Sequence, residues 1–354
     1  MKKKKVFSAI FLSLYLIATY FMLDYMTDQP LLILITSFAS IIFMVITHEL
    51  GHLIFGFMTG YHFISFRIFS FMLVKTDRKW AIRRMSVPGT GGQCLMAPPV
   101  KKNGKFPFVL YNLGGILLCG ILSLIPMIIG LWGENPELRR LFFIFGFTSF
   151  VMNLMNAIPT NGKSMLNDAT NLKMALENDV AKRALWNQLE YAALNAQNIS
   201  SADMPEELFF IPEKKELSNP LIFWQIIAAI DRAETMEEYE RAKELALFAL
   251  DNTVSIAPLY KRIVQMEAVY LDSILGTDSL CTDQYYDEIK KTPALKNFTA
   301  FYRASYAYLL LVKKDMQEAE QIFPEYLKKI KNAPYQTESD FEQKQLDHIR
   351  AINN

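Results

Sequence analysis

Two histidines four residues apart with a glutamate between them, in the stretch His48-Glu49-Leu50-Gly51-His52, are the residues of this chain best suited to chemistry. On a helix, side chains at positions i and i+4 lie on one face, one turn apart, so both imidazoles can grip one metal ion while the glutamate projects beside them. In this arrangement the histidines are zinc ligands and Glu49 stays off the metal, as the base that takes a proton from the water attacking a peptide carbonyl. A zinc ion that does chemistry takes three protein ligands plus water, so a further ligand must come from elsewhere in the chain.

The setting of the motif raises its weight. It lies within Ile41–Tyr61, an apolar run long enough to cross a membrane. An ionisable residue inside such a helix costs about 2.5–3.5 kcal/mol on insertion scales, and three within one turn need a compensating partner, for which a dication suffices. The remaining histidines, His62 and His348, lie beyond the helix end and in a distant polar tail, so neither is a good third ligand. A carboxylate is available at Asp168 if the chain after Pro159 folds back, which Asn161, Gly162 and Asn167 permit. Asn161 and Asn167 are the inferior alternatives, because neither is anionic.

The elements that must position these residues divide the chain. Four apolar runs, at 6–23, 31–58, 106–132 and 141–158, each approach the roughly 20 residues of helix that a hydrocarbon core requires. The first, behind Lys2 to Lys5, lacks a small-x-small cleavage pattern and reads as an uncleaved anchor. Between Gly60 and Lys105, nine lysines and arginines stand against one acid, Asp77, which places that loop, the N-terminus and everything after Pro159 on the cytoplasmic side of a multi-pass cell-membrane protein. The boundary falls within Asn171 to Asp179, giving a membrane domain at 1–175 and a cytoplasmic domain at 176–354. The second is a succession of amphipathic helical patterns, among them NFTAFYRASYAYLLLVKKD and MQEAEQIFPEYLKKI, which resemble tetratricopeptide units with a partner-binding face. The expected fold is therefore mainly α: a polytopic membrane bundle carrying a small β-hairpin loop, followed by a TPR-like helical-repeat domain.

The combination resembles the site-2 protease family of intramembrane zinc metalloproteases. That family carries HExxH on one transmembrane helix, and on a later one an Asn-x-x-Pro segment followed by Asp-Gly, whose aspartate is the third zinc ligand. His48, Glu49 and His52 match the first motif, Asn156 and Pro159 match the start of the second, and Asp168 is the counterpart of the aspartate. Two departures stand out: the spacing from Pro159 to Asp168 is long, and Ala169 replaces the usual glycine. The intervening helix offers Gly114 and Gly115, with Cys119 near a position where the family often has asparagine and Asn112 as a substitute. The resemblance implies a zinc-dependent endopeptidase that cuts transmembrane or signal-like segments, with Glu49 as general base, His48, His52 and Asp168 as ligands, and Asn156 orienting substrate.

Other features constrain this expectation. HFISFRIFSFML and KWAIRRMSV are aromatic and alternating, as strands of a hairpin would be, and an exposed edge there could hold a substrate segment. PGTGG is no phosphate loop, since no GK[ST] follows. Cys94, Cys119 and Cys281 are odd in number and without metal-ligand spacing, and read as packing residues. A net charge of +1 gives no reason to expect nucleic acid. The expected partners are a membrane-protein or signal-peptide substrate, the lipid bilayer, and a protein on the helical repeats. Two rivals remain: a proteolytically inactive scaffold or receptor stapled by zinc, and a membrane metal transporter, which would need more acidic or histidine residues in its spans.

Overall fold

A computed structural model describes residues 30–76, 79–85, 90–159, 166–252, 256–277 and 282–353. The apolar run at 6–23, Asn161, Gly162 and Cys281 lie outside the described residues. The described residues are mainly helical with a small antiparallel sheet, and contacts between residues divide the chain into two units. One comprises the chain through Gly51 together with Gly114–Ala157; the other comprises His52–Leu113 and Ile158–Asn354. The sheet thus groups with the later helices.

Among the described residues, three helices are long and apolar enough to cross a membrane: α1 (Pro30–Met58), α2 (Phe108–Trp132) and α3 (Pro136–Asn156). In the first unit they approach closely at glycines. A Cβ added to Gly51 of α1 would lie 2.2 Å from the Gly114 carbonyl oxygen of α2, and one added to Gly146 of α3 would lie 2.6 Å from the Ser123 carbonyl oxygen. Such small-residue contacts let helix backbones approach closely and gain van der Waals packing. Ser149 Oγ donates to the Ser40 carbonyl at 3.0 Å, tying α3 to α1.

Helix ends follow from local sequence. α3 begins earlier than the apolar run alone indicates, because Asn135 caps it by accepting from the Glu137 and Leu138 amides and Pro136 takes the first turn. Arg139 donates through Nη2 to the Leu131 carbonyl at 2.8 Å and so satisfies an acceptor at the end of α2. α1 stops in a Schellman turn: the Tyr61 amide donates to the Gly56 carbonyl, the Gly60 amide to that of Phe57, and Gly60 takes the left-handed φ of +87°.

In the second unit the chain leaving α1 enters a sheet of β1 (His62–Ile68), β2 (Phe71–Thr76), β3 (Lys79–Arg84) and β4 (Gly92–Ala97), in the order β3-β2-β1-β4. The expected hairpin is thus part of a four-stranded antiparallel sheet, with Ser65 opposite Val74 and a bulge where β1 meets β4 between Phe63 and Ser65. Met72 and Val74 are buried, while Phe71 and Leu73 on the opposite face are exposed. Two helices, α4 (Asp168–Glu177) and α5 (Asp179–Ala196), follow. Tyr61, Cys94, Met96, Phe106, Phe108 and Tyr111 share one apolar core with Ala175, Ala184 and Leu185 of these helices. Each large side chain in such a core contributes about 1.5–3 kcal/mol, so the start of α2 and the pair α4–α5 are held firmly together.

The remaining helices, α6 (Pro220–Thr235), α7 (Tyr239–Asn252), α8 (Pro258–Leu275), α9 (Thr282–Lys290), α10 (Thr299–Ala307), α11 (Met316–Lys331) and α12 (Gln336–Asn353), pack largely on their chain neighbours. Phe223, Ile226, Val269, Tyr270, Ala304, Tyr326 and Leu346 lie in their core. Buried among them, Arg303 donates to Glu234 at 2.9 Å and Glu267 at 2.6 Å. Its Nε also stands 3.8 Å from Glu342.

Candidate metal centre

His48, Glu49 and His52 occupy one turn of α1, and all three are buried. The division between units falls inside this unbroken turn, so the two histidines are placed by one local element. Each ring is oriented through Nδ1. His48 Nδ1 lies 3.0 Å from Asn153 Oδ1 of α3. His52 Nδ1 lies 2.7 Å from the main-chain carbonyl oxygen of Tyr111. Both partners are acceptors, so each Nδ1 carries the proton, and Nε2 is the nitrogen left for a metal.

On the far side of His52, its Nε2 is 3.3 Å from Asp168 Oδ2. With Nδ1 protonated, a neutral His52 turns a lone pair toward a carboxylate; two acceptors at this distance call for a cation between them, either a proton or a metal. One ligand atom each from His48, His52 and Asp168 lie within 4.8 Å of one another. Zinc bonds of about 2.0–2.1 Å in a tetrahedron place neighbouring ligand atoms on the order of 3.3 Å apart. Two imidazoles and one carboxylate are a donor set suited to catalytic zinc, whereas calcium or magnesium takes mostly oxygens and a soft ion takes thiolates. Neither Cys94 nor Cys119 belongs to the cluster; both are buried.

Asp168 is positioned by the first turn of α4. Asn167 is the N-cap of α4: its Oδ1 accepts from the Thr170 amide at 3.0 Å, and its Nδ2 donates to the Ile158 carbonyl at 2.8 Å. Asn167 therefore caps α4 and ties its start to Ile158. Asp168 is the first residue of α4, where the positive end of the helix dipole favours a carboxylate. Asn161, the other alternative ligand, lies outside the described residues.

Asn156, expected to orient substrate, is the last residue of α3 and partly buried. The asparagine bonded to a histidine is Asn153, one turn earlier, which sequence reading passed over. A second asparagine on one face of an apolar helix was the available signal. Asn112 donates to the Phe108 carbonyl of its own helix at 2.8 Å. His62 is an exposed residue of β1, and His348 stacks on Tyr239 with centroids 5.0 Å apart.

Behind His52 the packing is aromatic. The Tyr111 ring stacks on Tyr61 at 4.4 Å, and Tyr111 Oη donates to the Cys94 carbonyl at 2.9 Å, which fixes the residue whose carbonyl holds His52. Burial pushes the Tyr61 phenol well above its ordinary value of 10. It therefore stays neutral across physiological pH.

No family model, no curated protein and no solved structure matches this chain.

Proposed function

We propose that the chain is a zinc-dependent intramembrane endopeptidase, which hydrolyses peptide bonds in transmembrane or signal-like segments of membrane proteins. One observation carries the reading: on a helix apolar enough to cross a membrane, two histidines with Nδ1 held by carbonyl oxygens converge with the Asp168 carboxylate. The motif resemblance to the site-2 protease family, through His48, Glu49, His52, Asn156, Pro159 and Asp168, supports the same reading.

His48, His52 and Asp168 would hold the ion. When bound, zinc supplies a Lewis acid that polarises the scissile carbonyl and lowers the pKa of water toward 7. Glu49, on the same helical turn, takes a proton from the attacking water as the oxygen bonds to the carbonyl carbon. It returns that proton to the amide nitrogen as the C–N bond breaks. Burial of all three motif residues keeps bulk water away from the reacting bond. Asn156 orients the substrate. The second half of the chain, as a TPR-like cytoplasmic array, binds a protein partner or governs access.

The test is cleavage of a single-span membrane reporter by the purified protein in detergent. Loss of a general base costs about 100-fold or more in rate, so Glu49→Gln should retain zinc and lose that factor. Cleavage by zinc-loaded Glu49→Gln at the wild-type rate would overturn the mechanism. Zinc binding without cleavage by either protein would favour a zinc-stapled scaffold instead.

A further inference from the structure

We infer that Asn153 is a positioning residue for the metal centre: it fixes the tautomer of His48 and so presents Nε2 to the ion. The inference rests on the metal reading of that site and deepens it.

Asn153 is 3% exposed, on a helix otherwise rich in apolar residues. A buried amide is costly unless its hydrogen bonds are made, and here both ends are used. Nδ2 donates to the Ile116 carbonyl of α2 at 2.9 Å, which settles the orientation of the amide. Oδ1 is therefore the end that meets His48 Nδ1 at 3.0 Å. An amide oxygen only accepts, so the proton resides on Nδ1. One side chain thus joins α1, α2 and α3 at the level of the first ligand.

Gly120 stands beside this arrangement. A Cβ there would stand 3.6 Å from Asn153 Nδ2, in ordinary contact, whereas a longer side chain would press on the amide. The two ligands also differ in a way that permits a test. His52 is held by the main-chain carbonyl of Tyr111, which no substitution of that residue's side chain removes. His48 is held by a side chain, so its acceptor can be deleted or replaced.

The experiment measures zinc affinity of the full-length protein in detergent, by competition with a chromophoric chelator, for wild type, Asn153→Leu and Asn153→Asp. Removing an outer hydrogen bond to a ligating histidine weakens metal binding about 10–100-fold, the loss expected for Asn153→Leu. Asn153→Asp keeps an acceptor facing Nδ1, although it gives up the donor to the Ile116 carbonyl, and should bind zinc more tightly than Asn153→Leu, a rescue that a merely structural role would not give. In parallel, ¹⁵N spectra of histidine-labelled, metal-free wild-type protein should show His48 as the Nδ1–H tautomer, and this readout requires no variant to fold. Wild-type zinc affinity in Asn153→Leu, or an Nε2–H tautomer in wild type, would overturn the inference while leaving the metal site intact. Failure of wild type to bind zinc would overturn the metal reading itself.

Discussion

Replacing Gly51 with alanine places a methyl group where the structure has main chain. The added Cβ would lie 2.2 Å from the Gly114 carbonyl oxygen, 2.6 Å from its carbon and 2.7 Å from Gly115 Cα. All three are backbone atoms, so no side chain can swing aside; to regain ordinary contact the two helices must part by roughly 1 Å. Overpacking of this kind costs about 1–3 kcal/mol, and the gain in helix propensity from glycine to alanine returns at most about 1 kcal/mol. The net expectation is a loss of up to about 2 kcal/mol. Gly120→Ala is the matched control, since its Cβ meets only Asn153 Nδ2 at 3.6 Å. Thermal unfolding followed by circular dichroism in detergent should show a lower midpoint for Gly51→Ala and an unchanged or higher one for Gly120→Ala. Gly51 lies between the two histidines, so its variant should also bind zinc more weakly. Equal midpoints for Gly51→Ala and wild type, or a larger loss at Gly120, would refute the packing argument.

Three further outcomes are expected. Asn167→Ala removes the N-cap of α4 and the bridge to Ile158; chemical denaturation should show a loss of about 1–2 kcal/mol, and zinc affinity should fall as Asp168 loses its anchor. Arg303→Met leaves Glu234 and Glu342 buried without their cation; unfolding of the helical array should show about 3–5 kcal/mol of destabilisation, reduced when Glu234 is also changed to glutamine. Glu338, raised by burial and then by the neighbouring Glu342, has its carboxyl pushed up to about 7 from an ordinary 4.5. Folded protein thus holds this proton where unfolded protein has lost it. The contribution is full below pH 4.5 and is lost as pH rises through 7, by about 3 kcal/mol. A pH series of unfolding midpoints should flatten over that range in Glu338→Gln.

What was legible in the sequence was what periodicity and local chemistry encode. The apolar runs at 31–58, 106–132 and 141–158 correspond to helices, because twenty apolar residues in succession have few other uses. His48 and His52 share a face because i and i+4 must on any α-helix. Asp168 was legible only as the carboxylate that follows the Asn-x-x-Pro segment, and its approach to His52 goes with an N-cap at Asn167 that also bonds to Ile158. Asn153 was not legible. Its pairing with His48 joins residues 105 apart in sequence and depends on how α1 and α3 pack, which a one-dimensional pattern does not contain. The grouping of the sheet with α4 and α5 was hidden for the same reason. A boundary near Asn171 to Asp179 follows hydropathy, whereas the core shared by Tyr61, Met96 and Tyr111 with Ala175 and Leu185 follows contacts made across it.

The most direct measurement is zinc X-ray absorption on the purified full-length protein after metal-replete expression. A site made by His48, His52 and Asp168 predicts one zinc per chain, with nitrogen and oxygen neighbours at about 2.0–2.2 Å and the scattering signature of two imidazoles. Absence of stoichiometric zinc, or sulfur in the first shell at about 2.3 Å, would contradict it.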